Sequence, residues 1–344
     1  MKLLAIGDLH MREHLGYSEY IKDGRVKEKK EILSFITKQG KDCDGVVFLG
    51  DQLHLKNNPS EVIREFVEFV ESFGNKEIYI IAGNHEKGGD GKSALDFMKE
   101  INKPNWHIIT DEVTVVGDMV FCPFFYKGEL EAMNYKTATT KLMKELPDGR
   151  ILFTHQSISD IDFGRGNTNM MTNEIVLPIK TISKKYELTV AGHIHTYVKN
   201  DNVMVAGSVF NNEVGEDGKK IYKLDIGTTI VIDEIPLPGR KIIKIENPKL
   251  EEEFKDLEEI IPEKAIVKVV IEHIVSRNRI LELKDYLSKK CDAYIIVEKI
   301  KNTERESAHF DSIMSLSVED LLKIYAKEKE IEVDKILTGF KLIQ

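Results

Sequence analysis

Five short apolar runs, each followed within a few residues by an aspartate, asparagine or histidine, constrain this chain more than any other feature. "KLLAI" leads to Asp8 and His10, "GVVFL" to Asp51, "EIYIIA" to Asn84 and His85, "RILFT" to His155, and "LTVA" to His193 and His195. Apolar and β-branched residues dominate each run, and Gly or polar residues punctuate it, so each reads as a buried strand. Between the second and third lies "NNPSEVIREFVEFVESFG", where Val62, Ile63, Phe66, Phe69, Val70 and Phe73 recur at helical spacing. Asn58 is the expected N-cap and Pro59 the first helical residue. The layout is strand–helix–strand, the pattern of an α/β fold. "DEVTVVGDMVFCPF" and "NVMVAGSVF" have the shorter rhythm of hairpins, so the sheets are expected to be mixed.

Asp8 and His10 stand two apart at a strand end, as do His193 and His195, and residues so spaced point to one side. A hard divalent cation accepts a carboxylate and an imidazole offered that way. Taken alone, the D-x-H pair reads equally well as a surface turn, and Gly-Asp is a common turn dipeptide. One histidine at a strand end is usually a satisfied structural residue. Five such sites on successive strands are hard to explain as packing, and they point to a two-metal centre. Such a pair of ions, about 3.5–4 Å apart, clamps a phosphoryl oxygen and lowers the pKa of a bound water. Donors that mix carboxylate, amide and imidazole without thiolate fit Mn²⁺ or a similar ion, Mg²⁺ included, better than a structural zinc site.

Three distant cysteines, Cys43, Cys122 and Cys291, propose neither a disulfide framework nor a CxxC metal site. No apolar run approaches the roughly 20 residues that span a bilayer. The start, "MKLLAIGDLH", lacks signal-peptide anatomy, so a reduced, cytoplasmic protein with no membrane contact is expected. The formal net charge of −9 speaks against a protein that coats nucleic acid by charge alone. It does not speak against a nuclease, whose bound metals supply positive charge at the phosphate. Four prolines between Pro236 and Pro262 and an acidic run mark residues 239–262 as a linker after a domain spanning 1–238. Residues 263–301 read as a compact strand–helix–strand unit, and residues 312–344 as two short amphipathic helices.

The motifs D-x-H, G-D, G-N-H-[DE], T-H and G-H-x-H, carried by the residues above, resemble the calcineurin-like metallophosphoesterase superfamily. The resemblance implies phosphoester hydrolysis and a sandwich of two mixed β-sheets flanked by helices. It implies that Asp8, His10, Asp51 and His195 hold one divalent ion while Asp51, Asn84, His155 and His193 hold a second. His85 is then no ligand but the candidate catalytic acid at the scissile phosphate, a task that suits an imidazole. "GDQLHLKNNPS" further resembles the GD-x-x-H turn and Pro-Ser helix start of the SbcD nucleases, bacterial and phage relatives of the meiotic-recombination-eleven nuclease. There the histidine at the position of His54 lies beside that of His85 and helps rotate the phosphodiester.

An SbcD-like protein implies a small α+β capping domain at 263–301 and C-terminal helices, at 312–344, that grip an SbcC-type ATPase. It also implies DNA ends, hairpins and single strands as substrates, and 3′-to-5′ exonuclease action on duplexes. A homodimer through helices including residues 60–73 follows from the same resemblance, although that apolar face is equally what a core needs. Two positions depart from the relatives. His14 precedes Leu15 and Gly16, where they usually read D-x-H-L-G, and is expected in a loop near DNA. Glu86 stands where they usually carry Asp. Two other readings compete: a generic phosphodiesterase or phosphatase acting on nucleotides or phosphoproteins, and an architectural subunit with vestigial hydrolysis.

Overall fold

The computed structural model describes residues 1–21, 24–161, 173–216, 218–248, 254, 257, 260–262, 264–271 and 276–290. Its first sheet is built on four parallel strands, β1 (Lys2–Ile6), β2 (Gly45–Phe48), β3 (Glu77–Ile81) and β4 (Trp106–Ile109). β13 (Lys220–Ile226) and β14 (Ile230–Pro236) add to the β1 edge as an antiparallel pair, giving the order β14-β13-β1-β2-β3-β4. The second sheet comprises β5 (Thr114–Val116), β6 (Met119–Cys122), β7 (Ile151–Thr154), β10 (Leu188–Ala191), β11 (Val198–Asn200) and β12 (Val203–Val205). Its order is β11-β12-β10-β7-β6-β5, with β6, β7, β10 and β12 parallel. The short pair β8 (Ser157–Ile158) and β9 (Val176–Leu177) stands apart. The five sequence-read strands are thus β1, β2, β3, β7 and β10, and both sheets are mixed as expected.

Alternation along these strands sorts side chains into layers. Leu3, Ala5, Val47 and Tyr79 face the second sheet and meet Phe121, Phe153, Val190 and Met204 in a core between the sheets. Register keeps them level, with Ala5 opposite Val47 and Val47 opposite Tyr79. Tyr79 stacks on Phe121 at 4.7 Å, and Phe121 on Phe153 at 5.2 Å. The other face of the first sheet, Leu4, Ile6, Val46 and Phe48, is covered by α1 (Val26–Gln39) and α2 (Ser60–Glu71). Strands buried on both faces must be apolar throughout, which is why they read as continuous runs. The outer face of the second sheet is covered by α4 (Tyr135–Glu145) and α5 (Ile179–Lys185), with α3 (Phe97–Glu100) a single turn before β4. Each fully buried side chain of this kind contributes roughly 1.5–3 kcal/mol.

Helix α2 starts one residue later than its sequence predicts. Pro59 is the N-cap, with ψ 145°, and its carbonyl accepts from Val62 and Ile63. Asn58 instead turns its amide back to the Leu55 carbonyl. The apolar face of α2, Val62, Phe66, Phe69 and Val70, is buried in the core around Phe48. Core packing therefore accounts for the stripe that also matched a dimer helix.

Within the stretch read as a linker, "IIKIE" forms β15 (Ile242–Glu246), which pairs in parallel with β16 (Ile266–Val270). Phe254, Leu257 and Ile261 from the same stretch pack with Val267, Val269 and Leu283 of β16 and α6 (Arg277–Lys290). Proline and acidic content marked a boundary but masked the alternating Ile residues. The third piece of the capping-like unit, "AYIIVEKI", and all of 312–344 lie outside the described residues. No helix among the described residues is long and apolar enough to cross a membrane.

Candidate metal centre

The carboxyl ends of β1, β2 and β3 from one sheet and of β7 and β10 from the other meet along one edge, where α/β sheets characteristically bind ligands. Delivering the side chains requires unusual backbone. His10, Asp51 and His193 adopt left-handed φ of 45°, 52° and 78°, each costing on the order of 1–3 kcal/mol. The surrounding bonds hold them there: the His10 amide donates to the Asp51 carbonyl at 2.8 Å, and that of His193 to Asp8 Oδ1 at 3.1 Å. Gly50 has φ 101°, and a Cβ there would sit 2.1 Å from His155 Nδ1. A Cβ on Gly83 would sit 2.1 Å from Asp51 Oδ1, so both glycines are required for close approach.

Three donor groups result among the described residues; one joins His10 to His54 and His85, and the other two contain the nominated aspartate and histidine ligands. In the first of these two, Asp8, His10 and His195 converge, with His10 Nε2 only 2.8 Å from His195 Nε2 and 3.9 Å from Asp8 Oδ2. In the second, Asp51, His155 and His193 converge, and Asn84 Oδ1 joins them at 2.9 Å from His193 Nδ1 and 3.3 Å from His155 Nε2. Asp51 Oδ2 lies between the groups, 3.7 Å from His10 Nε2 and 3.3 Å from His155 Nε2. That is the position of a bridging carboxylate. All seven side chains that the sequence nominated as ligands are brought together.

The second nitrogen of three imidazoles is engaged outside the cluster. His155 Nδ1 donates to the Leu49 carbonyl at 2.6 Å, His193 Nε2 faces Glu174 Oε2 at 2.9 Å, and His195 Nδ1 faces Glu216 Oε1 at 3.0 Å. Such partners fix the tautomer and aim the inner lone pair at a cation. Sequence reasoning missed Glu174 and Glu216, which lie in irregular segments with no motif or periodicity to mark them. Replacing Glu174 with Gln is expected to weaken divalent-ion affinity about 10–100-fold with the fold intact. Titration calorimetry with Mn²⁺ checks this, and unchanged affinity would show that Glu174 does not orient His193.

The electrostatics call for a cation. Asp8 Oδ2 is buried with no hydrogen-bond partner, and burial raises the Asp8 carboxyl above its usual range. Burial also opposes ionisation of Asp51, but His155 and His10 outweigh it and hold that carboxyl low. Burial holds His10 neutral, with its imidazole well below the usual range. For His155 burial works against the charged form, and Asp51 and Asp8 overcome it, raising the imidazole to about 10. Two buried carboxylates with an orphaned oxygen and converging imidazole nitrogens fit hard divalent ions.

His85 and His54 stand at the open side. The His85 side chain is 36% exposed, against 0% for His155. Its Nδ1 donates to the His54 carbonyl at 2.7 Å, which leaves Nε2 facing the cleft, 3.9 Å from Asp51 Oδ2. The two rings stack with centroids 5.4 Å apart. His14 is exposed and, among the described residues, paired only with Glu13, outside the cluster, which leaves His10 as the D-x-H histidine. Glu86 does not touch the His85 ring. Its buried carboxylate accepts from the amides of Asp51, Leu53 and Gly83 at 3.1, 2.7 and 2.9 Å, tying the loops after β2 and β3 together.

Candidate His/Asp metal sites on the facing edges of two sheets fit a metal-dependent hydrolase, and the family comparison agrees. The model of the calcineurin-like phosphoesterases matches residues 1–197, a span that contains every candidate side chain. The chain belongs to that family, whose fold indicates a metal-dependent phosphoester hydrolase. Among solved structures, a purple acid phosphatase from yellow lupin seeds is similar at 15% identity and TM-score 0.38, over 65% of this chain and 49% of the lupin chain. This chain therefore spans about half the length of that enzyme. A conserved Streptococcus pneumoniae protein described as a phosphoesterase is similar at 11% identity and TM-score 0.29, over 68% of this chain and 88% of its own. No curated protein matches.

Proposed function

We propose that this chain is a Mn²⁺-dependent DNA nuclease of the SbcD type, cleaving phosphodiesters at DNA ends and hairpins in repair or recombination. The observation that carries the reading is the second histidine, His54, stacked on His85 at the open side of the centre. An SbcC-like ATPase held by residues 312–344 and a homodimer complete the reading, and both rest on the resemblance. Mn²⁺ is favoured because every donor is carboxylate, amide or imidazole.

The chain's own residues divide the work. Asp8, His10, Asp51 and His195 hold one ion, and Asp51, Asn84, His155 and His193 the other. Bound there, the ions supply Lewis-acid charge and a water of lowered pKa for an in-line displacement. His85 gives a proton from Nε2 to the leaving oxygen, its ring aimed by the bond from Nδ1 to the His54 carbonyl. The His54 ring packs against it and orients the diester. Glu174, Glu216 and the Leu49 carbonyl keep the imidazoles turned inward.

The test compares cleavage of end-labelled duplex and hairpin DNA with turnover of bis(p-nitrophenyl) phosphate, in Mn²⁺ and in chelator, for wild type and His54→Ala. Metal-dependent DNA cleavage that falls at least about tenfold in the variant, with the small diester less affected, is expected. Efficient turnover of the small diester with DNA left intact would instead mark a generic phosphodiesterase.

A further inference from the structure

Arg12 lies two residues beyond His10, and no role in holding the ions or moving the proton falls to it. Its place is fixed by the backbone. The Met11 amide donates to the Gln52 carbonyl at 2.8 Å, the His54 amide to the Met11 carbonyl at 3.1 Å, and Lys29 Nζ to the Arg12 carbonyl at 3.2 Å. Arg12 and His54 therefore emerge side by side from two stapled loops. Among the described residues the guanidinium makes one hydrogen bond, from Nη1 to His54 Nε2 at 3.4 Å, and its Nε is buried with no hydrogen-bond partner. Among the described residues it has no ion pair; at longer range Arg25 repels it and Glu216 and Glu213 attract it.

Arg25 shows what a structural arginine looks like in the same protein. It is fully buried, clasps Glu28 with Nε and Nη2 at 2.8 and 2.7 Å, and donates from Nη1 to the carbonyls of Gly16 and Asn211 at 2.8 Å each. Arg12 has the same five donors and almost none of them satisfied. An underused guanidinium fork beside an active site matches the oxygens of a phosphodiester.

We propose that Arg12 is a substrate-binding residue that grips a phosphate flanking the scissile one on a nucleic-acid strand. The His54 ring stands between the guanidinium and His85, so Arg12 is one imidazole removed from the reacting position and meets a neighbouring phosphate. The proposal rests on the nuclease reading and deepens it. A substrate with a single phosphate offers Arg12 nothing to hold, whereas a strand does, so Arg12 favours polynucleotides over small diesters.

The test measures wild type, Arg12→Ala and Arg12→Lys on an oligonucleotide hairpin and on bis(p-nitrophenyl) phosphate, with Mn²⁺ affinity and thermal midpoint as checks on the fold. Arg12→Ala is expected to lower kcat/KM on the hairpin about 10–100-fold, chiefly through KM, as for a lost charge-assisted bond. Turnover of the small diester stays within about twofold, because it has no second phosphate for Arg12 to hold, and Arg12→Lys recovers part of the loss on the hairpin. In a His85→Ala background, where cleavage is slowed about 10²–10⁴-fold, adding Arg12→Ala weakens hairpin binding and reduces the salt slope by about one. Equal loss on both substrates, or hairpin binding and cleavage unchanged by Arg12→Ala, would overturn the assignment. Wild type that hydrolyses the small diester and leaves the hairpin intact removes the nuclease reading itself, and the role of Arg12 on a strand with it.

Discussion

Asp51→Asn is expected to lose phosphoester hydrolysis by at least about a thousandfold, since an ion's transition-state stabilisation is worth several kcal/mol and each 1.36 kcal/mol is tenfold. The substitution is close to isosteric. It keeps an oxygen to accept the His85 amide, which Asp51 Oδ1 does at 2.9 Å, and asparagine tolerates the φ of 52° at this position. What it removes is the charged oxygen between His10 and His155, replacing an acceptor by donors that face two imidazoles. The fold should persist while one or both ions are lost. A variant that still hydrolysed bis(p-nitrophenyl) phosphate at the wild-type rate would show that Asp51 does not bridge.

His85→Ala separates proton transfer from metal binding. A positioned general acid contributes about 10²–10⁴-fold, so kcat on DNA should fall by that factor. The fall should be far smaller on bis(p-nitrophenyl) phosphate, whose leaving group is stable as an anion and needs little protonation. Affinity for Mn²⁺ should hardly change if His85 contacts the scissile phosphate, as the resemblance implies, from its half-exposed place at the open side of the cluster. Equal loss on both substrates together with weakened ion binding would make His85 a ligand and not an acid.

What could be read in advance follows from the physics of strands. β1, β2, β3, β7 and β10 are buried on two faces, so their apolar runs and their polar ends were legible, and the cluster followed from the ends. The same reading placed Asn58 as cap, because a Pro-Ser sequence looks the same whether proline is the last residue outside the helix or the first within it. It also took the β15 segment for linker, since only the pairing with β16 makes "IIKIE" a strand. Glu174 and Glu216 were invisible because their roles depend on irregular backbone returning to His193 and His195 across 19 and 21 residues. The left-handed φ of His10, Asp51 and His193 suit Asp and His, which tolerate that region better than most residues, but the neighbouring bonds that impose them cannot be read from residue type. Glu86 was noted as a departure from Asp, yet its three amide partners show it bracing two loops, which no motif records.

Two donor groups sharing Asp51 should take up two divalent ions. The direct measurement is calorimetric titration of the metal-stripped protein with Mn²⁺, with Asp51→Asn alongside. Two equivalents should bind per wild-type chain and at most one to the variant. One equivalent or none in wild type, or two retained without the Asp51 carboxylate, would contradict a shared two-ion centre.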